Sequence, residues 1–373
     1  MSSTPDPHLH DLQHAELPAG STAAVKAMMR AEHIPGLSLA VTDRDRLRYA
    51  AGFGVADPVT GAPATARSAY PWFSMSKPVT ATAALRLADE GRLDLEQPIG
   101  DYLQDVTVPG ANQPTVRDLL GHTAGLANPI PIRWAHHVEV AAPDPHVLLR
   151  RLLARRRASP HPVGGLARYS NLGYLAVGEI ITAVTGMPFE AHVREAVLGP
   201  AGMTATGYVY PPDAAAATGT VRSPRLADPL LRRALPTGVA GARHGRVLTL
   251  RRFYVDGPAY GGLIGDVVDA ARFLRLHLND GELDGQRILA AETARRMRVL
   301  DRPGKPFDHA LGWFRRPTDR AGDWVEHFGS GIGFWNVMRL YPDRGLGIVM
   351  MTNSTRSHDV ERVFEQIAGA SWS

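Results

Sequence analysis

The chain has 373 residues, room for two domains of ordinary size or one large domain with insertions, and its 44% hydrophobic and 21% charged composition is that of a globular protein. It contains no cysteine, which excludes disulfide frameworks, thiolate nucleophiles and cysteine-held zinc or iron–sulfur centres. Lysine and arginine number 41 against 37 aspartate and glutamate, and the resulting net charge of +4 is too small for the basic field of a nucleic-acid binder. No run approaches the roughly 18 apolar residues that cross a bilayer, and the N-terminus lacks the basic-then-apolar order of a secretion signal. A cytoplasmic protein with neither a nucleic-acid nor a membrane partner is therefore expected.

Residues 1–20 are polar and rich in Pro and His and read as a disordered tail, whose His8, His10 and His14 lack the carboxylate support of a metal site. A helix follows over Ser21–Glu32, ended before Pro35, and then two strands, Gly36–Thr42 and Leu47–Ala51, joined by the polar turn at 43–46. From Ser74 to Glu90 an Ala- and Leu-rich run with apolar residues at helical spacing reads as a buried helix that Gly91 stops. Helical patterns recur at 115–120, 146–157, 172–185, 188–198 and 267–278. Arg150, Arg151 and Arg155 to Arg157 read as the solvated face of the second of these, and His136-His137 as exposed loop. The Pro-, Gly- and Arg-rich stretch 208–254 reads as a long insertion or lid. Strands return at 310–315, 324–328, 334–340 and 347–351, and an amphipathic helix over 358–367 closes the chain.

Strands at both termini with helices between them predict an α+β fold: an antiparallel sheet assembled from both chain ends, flanked by helices, with a mostly helical domain inserted. On this reading residues 21–105 and 290–373 form a discontinuous α/β domain, and 106–289 form the helical domain that carries the 208–254 insertion.

Three short constellations carry chemistry. Ser74-Met75-Ser76-Lys77 places a lysine three residues after a serine at a helix start, on the same face, so that the amine can take the proton of a hydroxyl that is otherwise a poor nucleophile. The lysine must be neutral to do so, which burial favours, and the helix start supplies backbone N–H groups suited to an oxyanion. Ser76 has no lysine three residues on. Tyr169-Ser170-Asn171 supplies a phenol and an amide where a Gly-rich approach meets a helix, groups able to act as base and as substrate holder. His327-Phe328-Gly329 lies on a strand, its imidazole placed to bond a substrate or the tyrosine, Gly329 open to close approach of a ligand, and the Ser330 N–H available with that of Ser74 as an oxyanion donor. Accidental matches to the first two patterns number about 0.1 and 0.2 in a chain of this composition.

The order Ser-x-x-Lys, Tyr-x-Asn about 95 residues later, then His-x-Gly on a late strand resembles the serine β-lactamase-related family, which includes class C β-lactamases, penicillin-binding D,D-peptidases and esterases. The stretches ADEGRLDLEQPIGDYL, LLGHTAGL at 119–126, YSNLGYLAVGEII at 169–181 and GGLIGDVVDAARFL at 261–274 share the resemblance, which spans about 21–370. The resemblance implies Ser74 as the acylated nucleophile, Lys77 as its proton partner, Tyr169 as the base activating serine or water, and Asn171 as a substrate-positioning group. His327 stands where β-lactamases often carry the lysine of Lys-Thr-Gly, and a neutral imidazole there disfavours carboxylate-bearing substrates.

The expected function is a serine hydrolase working through an acyl-enzyme on carboxylic esters, with no metal and no cofactor. Acyl transfer, β-lactam or D,D-peptide amide hydrolysis, and a catalytically silent sensor are the alternatives. Gly-x-Ser-x-Gly and Gly-x-x-x-x-Gly-Lys signatures are absent from the sequence, which excludes the α/β-hydrolase elbow and the phosphate-binding loop.

Overall fold

A computed structural model of the chain describes residues 16–108, 113–126, 128, 134–154, 162–211, 216–316 and 323–372. His8, His10, His14 and Arg155 to Arg157 lie outside the described residues.

Seven antiparallel strands form the large sheet: β1 (Gly36–Asp43), β2 (Leu47–Gly54), β3 (Asp308–His309), β4 (Phe314–Arg315), β5 (Val325–Gly331), β6 (Phe334–Tyr341) and β7 (Leu346–Thr352), in the order β3-β4-β5-β6-β7-β1-β2. The junction between the two chain ends is β1 against β7, in register from Leu37 opposite Thr352 to Asp43 opposite Leu346. The principal helices are α1 (Ser21–Glu32), α2 (Ser76–Asp89), α3 (Asn171–Thr185), α4 (Val267–Leu278) and α5 (Glu361–Ala368).

Side-chain alternation divides the sheet. Leu37, Leu39, Val41, Val337, Ile348 and Met350 point to one face and pack with Val25 and Met28 of α1 and Phe364 and Ile367 of α5. Ala40, Met338, Leu340, Val349 and Met351 point to the other and join the larger core that contains α2, α3 and α4. Leu17, within the stretch expected to be tail, is buried in the outer cluster, so ordered packing begins ahead of α1. Helix α4 falls in the span expected for the helical insert, yet its longest contacts run along β1 and β7; the chain passes through the helical layer and returns to the sheet before residue 290.

The described residues of the 208–254 stretch, 208–211 and 216–254, include regular structure. Thr220–Arg222, Val247–Leu250 and Ala240–His244 make a three-stranded sheet with a short helix, Asp228–Ala234. Leu235, Val239, Leu248 and Leu250 are buried in the main core, because alternate apolar positions within a polar composition are enough to fasten a small sheet. His136 and His137, expected in exposed loop, lie in the strand Ala135–His137 paired with Phe253–Val255, with His136 Nδ1 2.7 Å from Asp256 Oδ1.

One buried ionic cluster holds the outer layer. Arg339 on β6 reaches Glu326 on β5 at 2.7 Å and Glu361 on α5 at 2.6 Å, with its guanidinium 3.9 Å from the Trp324 ring. Glu326 is fully buried, so removing its partner strands a charge. Arg339→Ala is expected to cost about 3 kcal/mol, the low end for a broken buried pair because Arg316 still holds Glu326. The urea midpoint measures it, and an unchanged midpoint would contradict the assignment.

Candidate active site

Ser74 sits on a single 3-10 turn, Phe73–Met75, immediately ahead of α2. Phe73 takes the left-handed backbone region, φ 47°, at a cost of about 1–3 kcal/mol. The turn is tied down on both sides: Trp72 N donates to Leu263 O at 2.7 Å, and Asn336 Nδ2 of β6 donates to Pro71 O at 2.8 Å. Strand β5 passes so close that a Cβ on Gly329 would collide with the Trp72 carbonyl. The close approach at Gly329 is thus made by the serine-bearing turn rather than by a ligand.

Lys77, one helical turn on, is completely buried. Its Nζ lies 3.1 Å from Ser74 Oγ, 2.8 Å from Asn171 Oδ1 and 2.8 Å from the Tyr260 carbonyl. Two of these neighbours can only accept, so they take two N–H bonds and leave the remaining position of the amine directed at the serine hydroxyl. Burial holds the Lys77 amine well below its ordinary value, in favour of the neutral form.

Asn171 opens α3, with Ser170 as its N-cap accepting from Gly173 N at 2.9 Å. Tyr169 precedes it, its ring 4.7 Å from Lys77 Nζ. The Tyr169 hydroxyl is buried without a well-formed hydrogen bond. Burial pushes it above its ordinary value, and the neighbouring Ser74 hydroxyl offsets only part of that. Burial therefore favours the neutral phenol at this position.

His327 lies off the cavity wall. It is 1% exposed, packed at 4.5 Å against the Phe314 ring and 6.0 Å from the Tyr169 ring, with Nδ1 bonded to the Phe328 carbonyl. Burial first, then the nearby Lys77, holds it well below its ordinary value, so the imidazole is neutral. Ser330, by contrast, is exposed and shares a cavity wall with Ser74 and Asn171. Ser76 faces away: it is buried and accepts from Leu263 N at 3.1 Å.

Sequence reasoning missed several participants. Asn128 accepts from Asn171 N at 2.5 Å and donates to Tyr169 O at 3.1 Å, clamping the loop that carries both side chains. His122 accepts from Ser170 N at 3.0 Å through Nδ1 and packs with its ring centre 4.7 Å from that of Tyr169. His309 meets His122 edge-on, with ring centres 4.7 Å apart, and burial lowers it to about 4. Isolated His and Asn residues in loops carry no periodicity, so only the LLGHTAGL stretch pointed towards this region.

In front of Ser74 lies a cavity of about 400 Å³ whose walls include Phe73, Trp134, Leu231, Leu235, Tyr260 and Ile332. Among the described residues, no charged side chain lines it. Leu231 and Leu235 come from the 208–254 stretch, which thus forms one wall of the site.

A model of the β-lactamase family matches residues 22–370, nearly the whole chain, and the protein belongs to that family. It is 30% identical over 299 residues to Protein Rv1367c of Mycobacterium tuberculosis, covering 75% of this chain and 71% of that protein. It is 26% identical over 341 residues to penicillin-binding protein 4 of Amycolatopsis lactamdurans, covering 88% and 83%. The octameric penicillin-binding protein homologue from Pyrococcus abyssi shares the fold with a TM-score of 0.75 at 22% identity, over 93% of this chain and 76% of that one. The chain is accordingly a serine hydrolase of β-lactamase fold. Among the described residues no single helix is long and apolar enough to cross a membrane.

Proposed function

We propose that the protein hydrolyses neutral carboxylic esters with an apolar acyl group, through an acyl-enzyme on Ser74. The observation that carries this reading is the uncharged, largely apolar wall of the cavity at Ser74. A carboxylate-bearing β-lactam or D,D-peptide would be desolvated there with no cation among the described lining residues to meet it, whereas an aliphatic or aromatic acyl chain gains about 25 cal/mol per Å² on entering.

In the proposed reaction Ser74 Oγ attacks the ester carbonyl while neutral Lys77 takes its proton, and the Ser74 and Ser330 N–H groups meet the oxyanion. Lys77 returns the proton to the departing alkoxide, and water then repeats the sequence on the acyl-enzyme. Asn171 and the Tyr260 carbonyl hold the amine in place throughout, and Tyr169 packs its ring against it as a neutral phenol. His327 supports Tyr169 from behind rather than binding the substrate.

The test is kcat/KM for p-nitrophenyl butyrate and for nitrocefin on the unmodified enzyme. The ester is expected to be favoured about tenfold or more, the equivalent of one missing charge-assisted bond. A clear preference for nitrocefin would overturn the ester reading.

A further inference from the structure

The wall formed by residues 220–252 has a second side. Leu231 and Leu235, one helical turn apart, face the Ser74 cavity. Leu226 and Leu230, also four residues apart, face water and are 95% and 71% exposed, the two most exposed large apolar side chains among the described residues. The helix Asp228–Ala234, which carries Leu230 and Leu231, buries none of its residues fully. Each exposed leucine forgoes about 1.5–3 kcal/mol of burial, and two of them four residues apart on the stretch that walls the site call for a partner.

Charge on the same stretch is one-sided. Residues 220–252 contain eight arginines against Asp228 alone, and Asp228 is ion-paired with Arg243. Arg222, Arg225, Arg233 and Arg246 are exposed around the leucines. The whole chain carries only +4, so the remaining residues taken together are net acidic.

These features select the occupant. A second copy docking through the same face would bring like charges together. Two leucines projecting beside a short helix do not offer the roughly 800 Å² per side of a stable protein interface. They do suit insertion just below a layer of anionic headgroups, with arginines at headgroup level.

We propose that the 220–252 face docks the protein on an anionic lipid surface, Leu226 and Leu230 entering the acyl boundary and the surrounding arginines meeting the headgroups. Docked this way, the cavity wall formed by Leu231 and Leu235 continues from the lipid phase to Ser74, so the substrates are esters that partition into lipid. That last step rests on the ester reading; the docking does not. The proposal replaces the expectation, drawn from the lack of a spanning segment, that the protein has no membrane partner.

The test is cosedimentation of the full chain, native and Ser74→Ala, with vesicles of equal parts phosphatidylglycerol and phosphatidylcholine and with vesicles of phosphatidylcholine alone. Both proteins are expected to bind the anionic vesicles, about tenfold or more tighter than the neutral ones, and to lose binding as salt rises. Leu226→Ser/Leu230→Ser and Arg225→Gln/Arg233→Gln are each expected to lower the partition coefficient about tenfold or more, with turnover of p-nitrophenyl butyrate in solution unchanged as the check on folding. Vesicle binding by a chain that turns over no ester would support the docking and remove only the ester reading. Failure to bind anionic vesicles, or full binding by the leucine double variant, would overturn the docking. So would self-association that the leucine variant abolishes in a chain that ignores vesicles.

Discussion

Ser74→Ala is expected to lower kcat by about 10⁴- to 10⁶-fold, the loss that follows when a covalent nucleophile is removed. Ser76→Ala provides the contrast. Ser76 is buried and accepts from Leu263 N, so its loss leaves an unpaired N–H and costs about 1–3 kcal/mol of stability, but it takes nothing from the chemistry. Intact-mass measurement after a fluorophosphonate separates the two: one adduct on the native chain and on Ser76→Ala, none on Ser74→Ala. An adduct mapped to Ser76 would overturn the assignment. The structural reason for the difference is the 3-10 turn Phe73–Met75, which presents Ser74 to the cavity one helical turn before Lys77, while α2 proper begins at Ser76 and carries that hydroxyl inward.

That turn also marks where sequence reading stops. The boundaries of α1 and α4 were legible because local signals agree with the packing: Pro35 stops the first, and in the second Asp266 caps Asp269 N ahead of a clean apolar period. Sheet formation by the two chain ends was legible because β1, β6 and β7 read as nearly continuous apolar strands. The break between Ser74 and Ser76 was not, since SMSKP suits a helix start and the distortion at Phe73 is imposed through Trp72 by Gly329 and Leu263, both distant in sequence. The same limit applies to the site. Spacing alone brought Ser74 and Lys77 together, and chain order with the family resemblance brought in Asn171. Nothing local shows that His327 turns behind Tyr169 instead of facing the cavity, or that the Tyr260 carbonyl is the third partner of Lys77. Those placements depend on strand register, which sets His327 opposite Met338 on the inner face of the sheet, and on a turn at 258–261 packed across α2 through the Thr80 bond to Ala259 O at 2.7 Å.

Lys77→Met is expected to lower kcat/KM by about 10²- to 10⁴-fold, the range for loss of a positioned base, and pH dependence distinguishes this from mere repacking. On the proposed mechanism the neutral amine is the active form, and burial holds Lys77 well below its ordinary 10.5. Activity with a neutral ester should therefore rise with pH to a plateau, with its inflection at the folded value of Lys77 and well under 10.5. If Tyr169 were the base, its phenolate would be required, and burial places that inflection above the ordinary 10.0. His122, His309 and His327 are all lowered, chiefly by burial, so none of them should add an inflection near 6.5. Linkage gives an independent readout. Between the folded value of Lys77 and 10.5 the unfolded chain binds the extra proton, so native stability should increase as pH rises through that window and fall as pH drops through it. Lys77→Met removes the titrating group and should flatten this part of the stability curve while leaving the fold intact. A native profile that inflects only above 10, together with a stability curve that Lys77→Met does not change, would move the base role from Lys77 to Tyr169.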